Sequence, residues 1–308
     1  MESVTAIAHP NIALVKYWGK RDVAQNLPAV PSLSLTLGGW RTRTTVIWGA
    51  DRDCVELDGQ EVDDPKITAF LGLLGSDRPP VSVVSDNDFP TGAGLASSAS
   101  GFAALALAAT RAAGLTLSDA ELSALARRGS GSASRSIFGG FVQWDDTHAQ
   151  PIAAPPWDVR MVVAVVNADR KDVGSTAGMA RSRATSPYWD AWVHSAAADV
   201  AEARAAVLAQ DLERLGTVME SSTFKMHATM HTAVPPLLYW QPATVAVLHA
   251  VFALRAAGVG AWATMDAGPQ VKVLCSPSDA DAVRDALAPH ALAVHIHGPG
   301  GGARVVPT

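Results

Sequence analysis

Cysteine is scarce in this chain, with Cys54 and Cys275 its only two. They make neither a disulfide framework nor a paired CxxC metal site, and so low a count fits a reducing compartment. Long apolar runs are also missing. No segment reaches the roughly 20 uninterrupted apolar residues of a membrane span. The richest stretch, 97–114, is dominated by alanine and broken by Arg111. The N-terminus, Met1-Glu2-Ser3-Val4, lacks a basic region followed by an apolar one, so no secretory signal is expected. Nor is there an excess of positive charge, since 24 basic and 29 acidic residues leave a formal net charge of −5. That balance gives no nonspecific attraction to nucleic acid or to an anionic membrane. Any anionic ligand must be held by local charge and backbone geometry. These absences predict a cytoplasmic protein with no nucleic-acid or membrane partner.

What is present is a globular composition, 48% hydrophobic and 17% charged over 308 residues, long enough for about two domains. The first half mixes both periodicities. Residues 32–37 alternate with period two, as a half-buried strand does. Strands are also predicted over 44–48, 54–57 and 81–84. A helix is predicted over 97–113, stopping at Gly114, and Ser118-Asp119-Ala120-Glu121 is a capping box that starts a short helix. A Pro/Ala stretch at 151–156 marks a domain boundary. Beyond it the pattern predicts a strand over 160–166, helices near 195–215 and 242–257, strands over 261–265 and 271–275, a helix over 279–287 and a strand over 292–297. That order suits an open antiparallel α+β layer with helices on one face.

Four segments can carry chemistry. The first is Asp88-Phe89-Pro90-Thr91-Gly92-Ala93-Gly94-Leu95-Ala96-Ser97-Ser98-Ala99, where a strand ends, a Gly-rich loop follows and a helix begins. Small residues let a ligand approach the main chain. The N–H groups of the first helical turn attract phosphate. Ser97 and Ser98 can cap the helix or bind a phosphate-bound metal ion. A tight turn with an ordinary serine cap explains the same residues. The second segment is Arg127-Arg128-Gly129-Ser130-Gly131-Ser132-Ala133-Ser134-Arg135-Ser136. Its guanidinium forks match carboxylate and phosphate, and the alternative is a flexible linker with solvated charges.

The third segment, residues 11–20, holds Lys16 and Lys20, two of only six lysines, beside Tyr17 and Trp18. Lysine serves as a point-charge phosphate ligand, but local sequence alone favours an edge strand with snorkelling side chains. The fourth is Thr264-Met265-Asp266-Ala267-Gly268-Pro269, where an Asp follows an apolar strand. It suits a charge projecting into a cleft, although an Asx turn is the simpler local reading. Two further patterns are weak. Ser222-Thr223-Phe224-Lys225 and Ser85-Asp86-Asn87 match S-x-x-K and S-D-N, but in reversed order and without K-T-G. His227 and His231 are one helical turn apart without the Glu of H-E-x-x-H, so packing is the expectation for both.

The run Pro90-Thr91-Gly92-Ala93-Gly94-Leu95-Ala96-Ser97-Ser98-Ala99 resembles the phosphate-binding motif of the GHMP small-molecule kinases. Within that superfamily the chain resembles the diphosphomevalonate decarboxylases, with matches over 11–22, 32–37, 88–105, 127–141, 171–179, 227–229 and 264–269. The resemblance implies an α+β, two-domain GHMP kinase fold. A ribosomal S5 domain 2-like N-terminal domain would cover 1–156, a ferredoxin-like C-terminal GHMP domain 157–308, and a deep cleft would lie between them. It implies ATP-dependent decarboxylation of mevalonate 5-diphosphate to isopentenyl diphosphate, CO2, ADP and phosphate, with Mg2+ and a homodimeric state.

By the same resemblance, Pro90, Gly92, Ala93, Gly94, Leu95, Ala96, Ser97 and Ser98 would hold ATP phosphates, with Ser97 near Mg2+. Tyr17, Trp18, Gly19, Lys20, Ser130, Gly131, Ser132, Ala133 and Ser134 would meet the substrate, Tyr17 and Lys20 at its diphosphate. Lys66 would add a basic contact. Ser175, Thr176 and Met179 would line the substrate side of the cleft. Arg135 would bind the substrate carboxylate, and Asp266 would be the catalytic carboxylate. The sequence departs from the family pattern at Ala29-Val30-Pro31, at Gln270 and at Thr176. Alternatives are a GHMP kinase that stops at phosphoryl transfer, a decarboxylase of the monophosphate, and a nucleotide-binding regulator.

Overall fold

The computed structural model describes residues 3–75, 77–89, 97–169 and 172–307. Alternation of buried and exposed residues in Thr42–Trp48 and Val81–Asn87 builds the core of a six-stranded sheet. Its order is Arg304–Val306, Ser3–Ala8, Thr42–Trp48, Val81–Asn87, Cys54–Leu57, Gln60–Glu61. The helix Ser97–Ala112 covers this sheet with Ala103, Ala104, Ala106, Ala108 and Ala109, all fully buried. Methyl side chains let helix and sheet approach closely, and the Trp48 indole donates to Ala109 O at 3.0 Å. The capping box forms as expected: Glu121 accepts from the Ser118 backbone at 2.8 Å and Ser118 caps in return.

A second sheet runs Ala149–Pro151, Phe141–Trp144, Ser32–Thr36, Asn11–Val15. A third, wholly antiparallel, runs Ala261–Met265, Val271–Cys275, Arg160–Val165, Ala293–His297. The expectation of helices on one face of this last layer is corrected. Pro242–Ala256 and Ala280–Leu287 cover one face, over Val162, Ala164 and Val273. Trp189–Ala209 and Leu212–His231 cover the other, over Met161, Val163 and Leu274. Both faces of these strands are apolar, so both need a cover. The second pair of helices also packs on Ile12, Leu14, Leu33 and Leu35, which fuses the second and third sheets around one core.

The single helix expected near 195–215 is two helices. Gln210 takes a left-handed φ of 55° and closes the first, and the Asp211 carboxylate caps the second by accepting from Arg214 N at 3.0 Å. No glycine marks that stop. The chain end returns to the N-terminal sheet, with Thr5 opposite Val306 and Ile7 opposite Arg304. On the way Gly300 N donates to Thr36 O at 2.7 Å and Gly140 N to Gly300 O at 2.9 Å. A Cβ on Gly300 would sit 2.5 Å from the backbone of Leu37, so only glycine fits this crossing.

Candidate active site

Asp266 is the first residue after the strand Ala261–Met265, in a turn closed by Gly268 N donating to Asp266 O at 2.8 Å. The turn is pinned on both sides. Thr244 donates to Pro269 O at 2.7 Å, and the Gln270 side chain accepts from Val166 N at 2.6 Å while also donating to Asn167 O. The Asp266 carboxylate does not make the Asx turn that local sequence favours. Its Oδ1 accepts from Lys16 Nζ at 2.7 Å and its Oδ2 from Lys272 Nζ at 3.1 Å. Both lysine side chains are buried, at 1% and 0% exposure, and Asp266 retains 29%. Burial alone would raise the carboxyl, but the two ammonium groups override it and hold Asp266 well below the usual carboxylate range.

Burial pushes Lys16 down to about 8, against the pull of Asp266. A register shift between Ala13 and Val15 disturbs the pairing of the strand just before it, and irregularities of that kind re-aim side chains. The snorkelling reading of Lys16 is therefore corrected: it is neither at the surface nor snorkelling, but beneath Asp266. Lys272 was missed by sequence reasoning. Its signal is a lone lysine in the apolar strand Val271–Cys275.

Arg135 lies in the short turn of helix Ala133–Ser136 and is 2% exposed. Its Nε donates to Asn11 Oδ1 at 3.0 Å, its Nη1 to Ser32 Oγ at 2.6 Å, and its plane lies 5.7 Å from the Trp144 ring centroid. Burial pushes it down to about 10, opposed by the Asp266 carboxylate, so it stays charged at neutral pH within the field of that group. Asn11 is a second residue not singled out for a role. Its Nδ2 donates to Ser132 O at 3.0 Å and to Ser136 Oγ at 2.7 Å, which ties the loop to the strand Asn11–Val15.

The loop before Arg135 is ordered by its own bonds and is not a solvated linker. Ser134 Oγ donates to Gly131 O at 2.8 Å, and Ser123 Oγ to Ser134 O at 2.8 Å. Ala133 and Ser134 are fully buried and shape the loop from within. Ser130 Oγ stands 3.4 Å from both Ser132 Oγ and Ser98 Oγ. The first turn of helix Ser97–Ala112 thus meets this loop. A Cβ on Gly131 would fall 2.7 Å from the Tyr17 hydroxyl, which is buried without a hydrogen-bond partner among the described residues. An orphaned buried hydroxyl is costly and fits an anionic oxygen as its partner. Residues 90–96, the expected ATP loop, and Lys171 lie outside the described residues.

Lys20 Nζ donates to Asn26 Oδ1 at 2.6 Å and to Thr176 Oγ1 at 3.3 Å. Asn26 in turn donates to Arg127 O at 3.1 Å and Arg128 O at 2.8 Å, just before Ser130. Burial lowers Lys20, and the charge of Lys66 lowers it further, so Lys66 is within electrostatic reach. Ser175 and Thr176 open the helix Ser175–Thr185, which presses Met179 into a cluster with Trp18, Val30 and Trp192. A Cβ on Gly19 would collide with Trp189, so this backbone is packed tightly.

The weak patterns resolve as packing. Ser222 Oγ accepts from Lys16 N at 3.0 Å, and Lys225 pairs with Asp199 at 2.8 Å. His227 and His231 have ring centroids 5.8 Å apart, and both pack against Trp240, His227 tilted and His231 edge-on. No group of three or more His, Cys, Asp or Glu among the described residues is placed to hold a metal.

Residues 8–153 match the diphosphomevalonate decarboxylase-like N-terminal domain, and residues 161–295 the mevalonate 5-diphosphate decarboxylase C-terminal domain. The diphosphomevalonate decarboxylase of Candida albicans is 36% identical, over 94% of this chain and 89% of its own. The solved mevalonate diphosphate decarboxylase of Staphylococcus aureus superposes with a TM-score of 0.94 at 37% identity, covering 99% of this chain and 98% of that one. The protein called MDDEF, solved in complex with MVAPP, AMPPCP and magnesium, gives 0.94 at 39% identity and 99% of both chains.

Proposed function

The chain belongs to the diphosphomevalonate decarboxylase family, and from that premise we propose how its own residues carry out the ATP-dependent decarboxylation of mevalonate 5-diphosphate. The fold is the two-domain GHMP kinase fold. Its cofactors are ATP and Mg2+. Bound Mg2+-ATP supplies the γ-phosphoryl group that turns the tertiary 3-hydroxyl of the substrate into a leaving group. The residues present suit it. The N-terminal turn of helix Ser97–Ala112 and the Ser98, Ser130 and Ser132 hydroxyls give donors for phosphate. Residues 90–96 would hold the nucleotide phosphates and Ser97 the metal.

The observation that carries the reading is Asp266, clamped by Lys16 and Lys272 in the field of Arg135. Asp266 accepts a hydrogen bond from the 3-hydroxyl and orients it for attack on phosphorus. With two ammonium groups on it, this carboxylate is a poor Brønsted base, and its main contribution is fixed negative charge facing the cation that develops at C3. Arg135, held in one plane by Asn11 and Ser32, fixes the substrate carboxylate so that its breaking bond aligns with the emptying orbital. Tyr17, Lys20 and the loop 130–132 meet the diphosphate, with Lys66 nearby. Ser175, Thr176 and Met179 wall the substrate side. Trp18 and Gly19 shape this wall from behind, and Ala133 and Ser134 shape the loop 130–132 from within.

Purified protein with ATP and mevalonate 5-diphosphate should release CO2 and ADP in equal amounts. ADP without CO2 would mean a kinase, and preference for the 5-monophosphate a different decarboxylase. We further assign residues 1–156 and 157–308 as the two domains, the second returning Arg304–Val306 to the sheet of the first, with a homodimeric state and a cytoplasmic location. Among the described residues no helix is long and apolar enough to cross a membrane. Light scattering of the purified protein tests the dimer.

A further inference from the structure

We propose that Lys272 is a positioning residue for this reaction, acting through Asp266 by fixing the rotation and the ionisation of its carboxylate. The inference rests on the reading of Asp266 as the reacting carboxylate. Lys272 stands in the strand Val271–Cys275, whose other four residues are apolar and fully buried. The strand is interior to its sheet, between Ala261–Met265 and Arg160–Val165. Strand propensity and packing favour Val or Ile at such a position, and an ammonium there is costly unless it is paired.

The geometry shows what Lys272 is paired with. Its Nζ takes Asp266 Oδ2 at 3.1 Å while Lys16 Nζ takes Oδ1 at 2.7 Å. The two ammonium groups come from different elements, one from the sheet interior and one from the end of Asn11–Val15. A single contact leaves the carboxylate free to swing about its Cβ–Cγ bond, and one contact on each oxygen removes that freedom. Among the described residues, Lys16 and Lys272 touch the carboxylate, and Arg135 and, from the helix Leu212–His231, His227 lie within its electrostatic field. Three of them are cations, and the surplus of positive charge suits an anionic substrate.

The test is Lys272→Met, alone and together with Asp266→Asn. Methionine keeps the length of the side chain and suits the apolar surroundings. The expected kcat is roughly 10- to 100-fold lower, less than the loss of a direct transition-state contact. The KM for mevalonate 5-diphosphate should change by less than about threefold, because the diphosphate contacts lie elsewhere. The acid limb of kcat should move to higher pH, since removing a cation raises the carboxyl pKa. In the Asp266→Asn background, Lys272→Met should cost nothing further. Wild-type kcat and pH profile in Lys272→Met, or losses that multiply in the double variant, would overturn the proposal. Wild-type turnover in Asp266→Asn alone would instead overturn the reading of Asp266. If Lys272→Met does not fold, Lys272→Gln is measured against the same outcomes.

Discussion

At the scale of the residue, the chemistry of Asp266 is set by what touches it. Asp266→Asn or Asp266→Ala should lower kcat by a factor of at least about 10², with ATP binding retained, as measured by turnover and by nucleotide titration. Arg135→Lys keeps the charge but loses the planar fork bonded to Asn11 and Ser32, so kcat/KM should fall by about tenfold or more. Since kcat/KM reports groups of the free enzyme, Lys16 at about 8 should set its basic limb.

A buried histidine gives a stability prediction with a definite sign. His227 is pushed down to about 3, first by burial and then by the charges of His231 and Lys16. The unfolded chain therefore takes up a proton near about pH 6.5 that the native state refuses. The stabilisation is full above that pH and is lost as pH falls toward 3. Urea midpoints should drop between about pH 7 and pH 5, and His227→Leu should flatten that slope. It should not abolish the slope, because burial lowers His231 and His297 as well.

At the scale of the element, the loop 130–135 is a small rigid device. Gly131→Ala would place a methyl group 2.7 Å from the Tyr17 hydroxyl. The KM for the diphosphate substrate should rise by about tenfold while the KM for ATP holds, as steady-state kinetics would show. Elements with a strong local signature were legible in the sequence. The strands Ala261–Met265, Val271–Cys275 and Cys54–Leu57 run as expected, and so does the capping box at Ser118. The stop at Gln210 was not legible, because a left-handed Gln in place of a Gly gives no local warning. Nor was the burial of Lys16, since its partner Asp266 lies 250 residues away along the chain. Spacing can propose a charged group, but only the fold shows which charge it meets.

At the scale of the whole molecule, two halves of unlike topology are bound by one shared core and by the returning chain end. Ile12, Leu33, Val163 and Trp262 belong to a single cluster, so the two halves share a core that keeps them from sliding freely. Gly300→Val would drive a side chain into the backbone at Leu37. It should lower thermal stability by about 2 kcal/mol or more, read as a fall in the unfolding midpoint.

The pairing of Arg304–Val306 with Ser3–Ala8 also bears on synthesis. Until Arg304–Val306 have left the ribosome, the strand Ser3–Ala8 has a row of amides and carbonyls with no neighbour on that side. An N-terminal half without its distant partner is therefore an open template for wrong strand pairing, and its sheet closes only when about 300 residues of intervening chain have been made.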